Sequence, residues 1–333
     1  MRIAILYNKP LPSRYDCAGE EEAVTGVLDA VDAVYKALSE LGYNVVKVSL
    51  APPLTRMRKR LSSLKAEVVF NLFEGFCGQP DTEALVPEIL SETGIPYTGC
   101  GGKTLKLALD KVKVKQMLTA AGIPTPDYQL LTTGILDMFR LNYPCIVKPS
   151  AEDASHGVTK ASIVGDFVSL KEQVKLIEKS YDNKVLVEEF LDGQEFNATV
   201  MGNVQCVVLP VSEIVYNLPA KIPRILTFAA KWKINDIYFQ GTKSVCPAQI
   251  DINTENHIKK TAMAAFHLLG CQGYARVDMR MDKAGTLNII EVNPNPDISP
   301  GAGSIRQAET ASMNYPEFVD KILRLAMERA HGH

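Results

Sequence analysis

No stretch of the chain approaches the roughly 18 consecutive apolar residues of a membrane-spanning helix. The opening MRIAILY runs straight into a strand-like segment, without the basic segment, apolar h-region and cleavage signal of a secretory leader. A cytoplasmic location is therefore expected. The seven cysteines are odd in number and scattered, at 17, 77, 100, 145, 206, 246 and 271, and none forms a C-x-x-C pair. That pattern points to reduced thiols rather than disulfides or zinc. Net charge is −2, so no broad basic surface offers itself to nucleic acid or a membrane. No G-x-G-x-x-G follows the first strand-like run. The GGKT at 101–104 is not a P-loop, because the position five residues before Gly102 is Tyr97 rather than glycine. No Ser/His/Asp or Cys/His nucleophile signature is present, and His156 reads as a loop residue rather than a base. Tryptophan occurs once, at 232.

Strand and helix patterns alternate through the first hundred residues. RIAILY, NVVKVSL and AEVVFNLF read as buried strands. EEEAVTGVLDAVDAVYKALSELG places Val24, Val27, Leu28, Val31, Val34, Tyr35, Leu38 and Leu41 at helical spacing, and Gly42 is a natural stop. This alternation predicts a parallel sheet flanked by helices. The pattern then changes. LKLALDKVKVKQMLTAAG reads as one basic amphipathic helix, followed by strands, a polar loop, a further helix and several hairpin-like strands. HIKKTAMAAFHLLG sets Ile258, Ala262, Ala265, Phe266 and Leu269 on one helical face, and a last helix covers 316–330. The chain thus divides into 1–102, 103–187 and 188–333.

GYARVDMRM-DKAG-TLNIIEVN reads as two strands joined by a four-residue turn at 282–285. With Met281 facing Thr286, Arg276 lies opposite Glu291 and Asp278 opposite Ile289. Alternation gathers Arg276, Asp278, Glu291 and Asn293 on one face and Val277, Met279, Ile290 and Val292 on the other. The plainer reading is a solvated face with a cross-strand Arg–Glu pair. The following Asn293-Pro294-Asn295-Pro296 has no evident packing purpose, and carboxylate and amide oxygens suit Mg²⁺. Lys148 ends a strand before a small-residue loop closed by Gly157, where backbone N–H groups can cradle phosphates; Lys111 can add a second charge. In VLVEEFLDGQEF, Glu188 and Glu189 end an apolar strand and Glu195 follows an Asp-Gly turn. A strand end there can read an adenine edge, and a carboxylate can accept ribose hydroxyls.

In this order the segments resemble the ATP-grasp superfamily, and within it the D-alanine–D-alanine ligases, over almost the whole chain. NLFEGFCGQPDTEALVPEILSETGIPYTGCG is similar to the segment that closes that family's N-terminal domain, and LALDKVKVKQMLTAAGIPTP to its D-K helix. IVKPSAEDASHGVTK resembles the K-P-S and Gly-rich loop, and VLVEEFLDGQEF the nucleotide hinge. AAKW and VCPA resemble the mobile loop and the segment after it. GYARVDMRMD and IIEVNPNPDISPGAGS resemble the metal and acyl site. The resemblance implies a mixed α/β and α+β fold: a Rossmann-like N-terminal domain followed by a two-part ATP-grasp domain that clamps ATP.

It also implies roles. Lys111 and Lys148 would contact ATP phosphates, with Ser155 and Gly157 in the phosphate loop. Glu188, Glu189 and Leu191 would lie in the adenine hinge, and Glu195 on the ribose. Asp278, Glu291 and Asn293 would hold two Mg²⁺, with Mn²⁺ as a substitute. Arg276 would stabilise a tetrahedral intermediate, Lys231 would approach the γ-phosphate, and Ser304 would touch the substrate carboxylate.

Four departures fall at amino-acid contacts. The family's N-terminal Gly-Gly-x-Ser-x-Glu is replaced by a loose GEEE at 19–22. Ala154-Ser155 stands for two serines, and Lys231-Trp232 for Lys-Tyr. The loop at 297–303 is longer. The implied activity is ATP-dependent carboxylate–amine ligation through an acyl phosphate, giving a dipeptide or related amide. The alternatives are an ATP-grasp ligase with a different amino-acid or peptide acceptor, or a nucleotide-binding protein without catalysis. Expected partners are small amino-acid or peptide substrates, with neither nucleic acid nor membrane, and a homodimer is admissible.

Overall fold

The structure is a computed structural model that describes residues 1–12, 21–76, 78–152, 155–181 and 184–331. Ala154 lies outside the described residues. So do Gly19 and Glu20 of the GEEE run and the side chains of its other two residues.

Three parallel strands open the chain, in the order β2-β1-β3: β1 (Arg2–Asn8), β2 (Asn44–Leu50) and β3 (Val68–Leu72). They are linked by helices α1 (Glu21–Glu40) and α2 (Leu54–Ser62), and α3 (Leu85–Thr93) follows β3. Ile3, Ile5, Val68 and Phe70 meet Val27, Val31, Val34 and Leu38 of α1 on one face of this sheet. Leu6, Leu50, Val69, Met57 and Ile89 pack on the other face. Gly42 carries φ +82° and ends the α1 turn, a conformation only glycine adopts without strain. Leu28, Tyr35 and Leu41, counted in the helical pattern, are exposed.

The long basic helix expected next is two helices. α4 (Gly102–Leu109) and α5 (Lys111–Ala120) break at Asp110, whose carboxylate accepts the Lys113 N–H at 3.0 Å as an N-cap. A short acceptor side chain competes with continued helix. The break makes Lys111 the first residue of α5 and places Lys115 one turn along the same face.

An antiparallel sheet of order β4-β7-β5-β6 follows: β4 (Tyr128–Leu131), β5 (Cys145–Pro149), β6 (Ile163–Val164) and β7 (Val185–Glu189), backed by α6 (Phe167–Tyr181). The largest sheet runs β11-β10-β8-β12-β13, with β9 paired to β8. Its strands are β8 (Glu195–Gly202), β9 (Cys206–Val208), β10 (Ser212–Tyr216), β11 (Thr242–Val245), β12 (Gly273–Met281) and β13 (Leu287–Asn293). Between β10 and β11 lie α7 (Phe228–Trp232) and α8 (Ile237–Gly241); α9 (Ile252–Leu268), α10 (Gly303–Thr310) and α11 (Tyr315–His331) complete the chain.

The predicted face of α9 is buried against β8 and β12, with Phe266 and Ile258 sealed. Fully burying each such side chain contributes roughly 1.5–3 kcal/mol. α11 returns to the first core, where Phe318, Val319 and Ile322 pack with residues of α1 and the parallel sheet. Among the described residues, no helix is long and apolar enough to cross a membrane.

Candidate active site

The β12–β13 hairpin differs from the simple alternation. Met281 pairs with Leu287, Arg280 with Asn288 and Met279 with Ile289. A bulge follows, and then Asp278 pairs with Glu291, Val277 with Val292 and Arg276 with Asn293. The extra residue resets the parity. Leu287 and Ile289 on one side of it and Val292 on the other all reach the core, while Ile290, expected there, is only partly buried. The polar face survives with a different register: Asp278 stands opposite Glu291 rather than Ile289, and Arg276 opposite Asn293 rather than Glu291.

Arg276 grips Asp278 with two hydrogen bonds, Nε to Oδ1 at 2.7 Å and Nη2 to Oδ2 at 2.8 Å. Asn197 of β8 donates its Nδ2 to the same Oδ1 at 2.7 Å. Burial works against the guanidinium charge, but the Asp278 carboxylate outweighs it and raises the Arg276 pKa. Glu291 is ion-paired with Lys111 of α5. Burial alone would raise its carboxyl, yet Lys111, with Lys148 and Lys231 behind it, pulls it below the usual carboxylate range.

A second cluster adjoins the first. Glu188 of β7 is almost fully buried between two ammonium groups, Lys115 at 2.8 Å and Lys148 at 2.7 Å. Burial pushes its pKa up, and the two lysines reverse this and hold it at about 2. Lys115 shows the opposite balance: burial lowers its pKa, and Glu188 only partly restores it. The Lys115 ammonium also donates to the Thr125 hydroxyl at 2.7 Å, which in turn donates to the Ile289 carbonyl at 2.9 Å. A crevice lined by Lys111, Lys115, Thr125, Ile290 and Glu291 lies between α5 and β13, beside this cluster.

Lys231 reaches this centre from α7, a helix capped by the Thr227 hydroxyl accepting from the Ala230 N–H at 3.0 Å. Burial lowers its pKa, as does Arg276, against the pull of Glu291, Asp278 and Glu195. The charges that act on Lys231 thus belong to residues the sequence singled out. Trp232, next to it, packs over Gly26 of α1: a Cβ there would come within 2.8 Å of the indole. The ring also follows a stack of His156 and Phe228, with centroids 5.5 and 6.3 Å apart in turn.

Other predicted residues lie around the rim or away from it. Gly157 has φ +73°, and a Cβ would come within 2.9 Å of Tyr181 and 3.0 Å of Pro149, so only glycine closes this loop. Ser155 shares the positive φ, at 62°. Glu189 does not join Glu188. Successive strand residues point to opposite faces, and its carboxylate accepts from Asn142 Nδ2 at 3.0 Å. Leu191 lies partly buried in the turn that leads to Glu195, which is itself buried at the start of β8. Ser304 is fully buried, with its hydroxyl 3.0 Å from that of Thr199, which pairs with Arg276 across β8 and β12. The Asn-Pro-Asn-Pro run does have a packing purpose. Asn295 accepts the Cys100 N–H at 3.2 Å and donates to Glu83 at 3.2 Å, tying this loop to the segments after β3.

The donor chemistry of Asp278, Glu291 and Asn293 fits a hard divalent cation. Among the described residues no three acidic, His or Cys side chains form a metal-sized group. A cation here would therefore depend on the Asn293 amide and on oxygens brought by a substrate or water. Sequence reading missed Lys115, Asn197 and Arg280. The i,i+4 spacing of Lys111 and Lys115 was the one signal available for the first.

Known proteins resemble this chain in sequence and fold. The family model described as D-ala D-ala ligase C-terminus matches residues 117–324. An uncharacterized protein, y4sG, of Sinorhizobium fredii is 31% identical over 91% of this chain and 88% of its own length. The D-alanine–D-alanine ligase of Mannheimia succiniciproducens is 30% identical over 90% and 92%. The crystal structure of the D-alanine–D-alanine ligase from Bacillus anthracis complexed with ATP has a TM-score of 0.76 at 20% identity, covering 100% of this chain and 98% of that one. With the family model spanning most of the chain and the architecture shared end to end, the chain belongs to the D-alanine–D-alanine ligase family of ATP-grasp, ATP-dependent carbon–nitrogen ligases.

Proposed function

We propose that the chain joins two small amino-acid-like substrates, activating the carboxylate of one as an acyl phosphate and passing it to the amine of the other. The observation that carries this reading is the convergence of Lys111, Lys148, Lys231 and Arg276 on Asp278, Glu291 and Glu188 between two antiparallel sheets. Four cations gathered about these carboxylates suit a triphosphate and the charge that develops on phosphoryl transfer. The first carboxylate attacks the γ-phosphorus and ADP leaves. The amine then attacks the acyl carbon, Arg276 faces the oxyanion that forms, and phosphate leaves. Asp278, Glu291 and Asn293 would hold Mg²⁺, which supplies charge neutralisation at the phosphates. No protein nucleophile takes part. Three functional parts, 1–102, 103–187 and 188–333, would go with the three sheets. ATP would lie between the second and third parts.

Lys148 serves as a phosphate contact in this reading. Lys148→Ala should weaken ATP binding by roughly 1.5–3 kcal/mol, about tenfold or more, and leave amino-acid affinity nearly unchanged. Calorimetry with ATP checks this, and unchanged nucleotide affinity would move the role to another lysine.

The acceptor pocket departs from a D-alanine site at Trp232. Its indole Nε1 is buried without a hydrogen-bond partner among the described residues. An unpaired buried donor costs about 1–3 kcal/mol, which a substrate carrying an acceptor group could relieve. The ring itself fills space with apolar surface. We therefore assign a bulkier or less polar partner than D-alanine. The test is ADP release with ATP and a mixed amino-acid pool, with products read by mass. The expected product is an amide whose mass equals two pool members less water, and D-Ala-D-Ala should be minor. ADP release independent of amino acids would overturn the ligase reading. Dominant D-Ala-D-Ala with KM in the ordinary range of roughly 1 μM–1 mM would overturn the acceptor assignment alone.

A further inference from the structure

Arg280 is a buried cation that phosphate chemistry does not use. It lies on β12 directly opposite Glu195 of β8 and is only 5% exposed. Its Nε donates to the Gly193 carbonyl at 3.2 Å and its Nη2 to the Arg224 carbonyl, while Nη1 stands 3.4 Å from Glu195 Oε2. Its guanidinium carbon lies over two rings, 5.0 Å from the Phe190 centroid and 5.8 Å from that of Tyr216. The Tyr216 hydroxyl donates to the same Glu195 Oε2 at 2.7 Å. One carboxylate oxygen thus accepts from Tyr216 and pairs with the Arg280 guanidinium, and no described residue donates to Oε1.

The network also spans segments. Gly193 and Phe190 belong to the turn between β7 and β8, and Tyr216 ends β10. Arg224 lies in the 217–227 segment that leads into α7 and Lys231. The Arg224 side chain closes the same seam, with Nη2 3.2 Å from Asp192 Oδ2. Burying a guanidinium in a sheet is costly unless its N–H groups are matched. An apolar side chain would fill the space, but it could hold neither Glu195 nor the two carbonyls.

We propose that Arg280 is a positioning residue for nucleotide selection. It fixes the Glu195 carboxylate so that Oε1 accepts a ribose hydroxyl, and it registers the 217–227 segment against that hinge. The proposal rests on Glu195 as the ribose acceptor, and the experiment separates the two. Calorimetry measures Kd for ADP, 2′-deoxy-ADP and 3′-deoxy-ADP, probes that need no knowledge of the amino-acid substrates. Wild-type protein should bind ADP about tenfold more tightly than one of the deoxy compounds, the worth of one hydrogen bond to a charged group. Glu195→Ala should abolish that ratio. Arg280→Met should reduce it to below about threefold, with Arg280→Lys between, because a lysine keeps the charge but lacks the planar fork that spans the two carbonyls and Glu195 together. Tyr216→Phe, which removes only the other donor, should also lower it.

A purely structural Arg280 would lower the melting temperature and leave the ratio at its wild-type value in Arg280→Lys and Arg280→Met. That result, with the ratio lost in Glu195→Ala, overturns the proposal and spares the ribose reading. A ratio unchanged in Glu195→Ala, or absent in the wild type, overturns both. If Arg280→Met does not fold, Arg280→Lys and Tyr216→Phe decide the matter on the same ratios.

Discussion

Glu291→Gln is expected to lower turnover by roughly a hundredfold or more, the scale of losing one preorganised electrostatic contact at a reacting centre, with the fold intact. Glutamine keeps the shape and can still accept from Lys111, but the negative charge is gone. Lys111 is largely buried and would then lose the negative charge that Glu291 sets beside it, at a centre where Lys148 and Lys231 also act on that carboxylate. Breaking a buried pair is usually costly to stability. Here 35% of the Glu291 side chain is exposed, so water screens most of that penalty, and the melting temperature should move little. Asp278 sits opposite Glu291 in the register and is held by Arg276 and Asn197. It would remain in place, so the defect isolates one oxygen donor. ADP release measured across a Mg²⁺ series, beside a thermal melt, provides the check. Wild-type turnover at low Mg²⁺ would remove Glu291 from the centre.

Much of this centre was legible in the sequence because it follows short-range rules. Alternating apolar residues around Val277 and Val292 required a buried face, and the charged residues between them had to share the other. Helical spacing placed Ile258, Ala262 and Phe266 in the core, where they lie. What was lost depends on single insertions and on partners distant in sequence. A count of two cannot see the bulge beside Asp278, so it set Arg276 rather than Asp278 against Glu291. A hydrophobic period cannot see that Asp110 caps its own helix and aims Lys111 and Lys115 together. Asn295 looked idle because its partners, Cys100 and Glu83, are about two hundred residues away in sequence. Arg280 was passed over, since nothing local announces that Glu195, Gly193 and Arg224 converge on it.

Gly26→Ala is expected to separate helix stability from catalysis. Alanine in a helix interior is favoured over glycine by roughly 0.5–1 kcal/mol, so α1 alone should gain. Against this, the new methyl would stand 2.8 Å from Trp232 Cη2 and 3.1 Å from Cζ3, closer than atoms pack. The indole must then shift or leave. It is flanked by Phe228 and directly follows Lys231, on which the charges of Arg276, Glu291 and Asp278 act. Moving the ring therefore moves the lysine, and misplacing a reacting group by about 1 Å can cost on the order of a hundredfold in rate. The melting temperature should hold or rise while kcat falls, and KM for ATP should change less, because Lys148 and the hinge are untouched. Trp232 is the only tryptophan in the chain, so its fluorescence reports the displacement without reference to any substrate. Wild-type emission should be blue-shifted and poorly quenched by acrylamide; in Gly26→Ala it should shift to the red and quench more readily. A variant with unchanged emission and unchanged kcat would show that the indole can give way where it lies, and that α1 has no part in holding Lys231 over the centre.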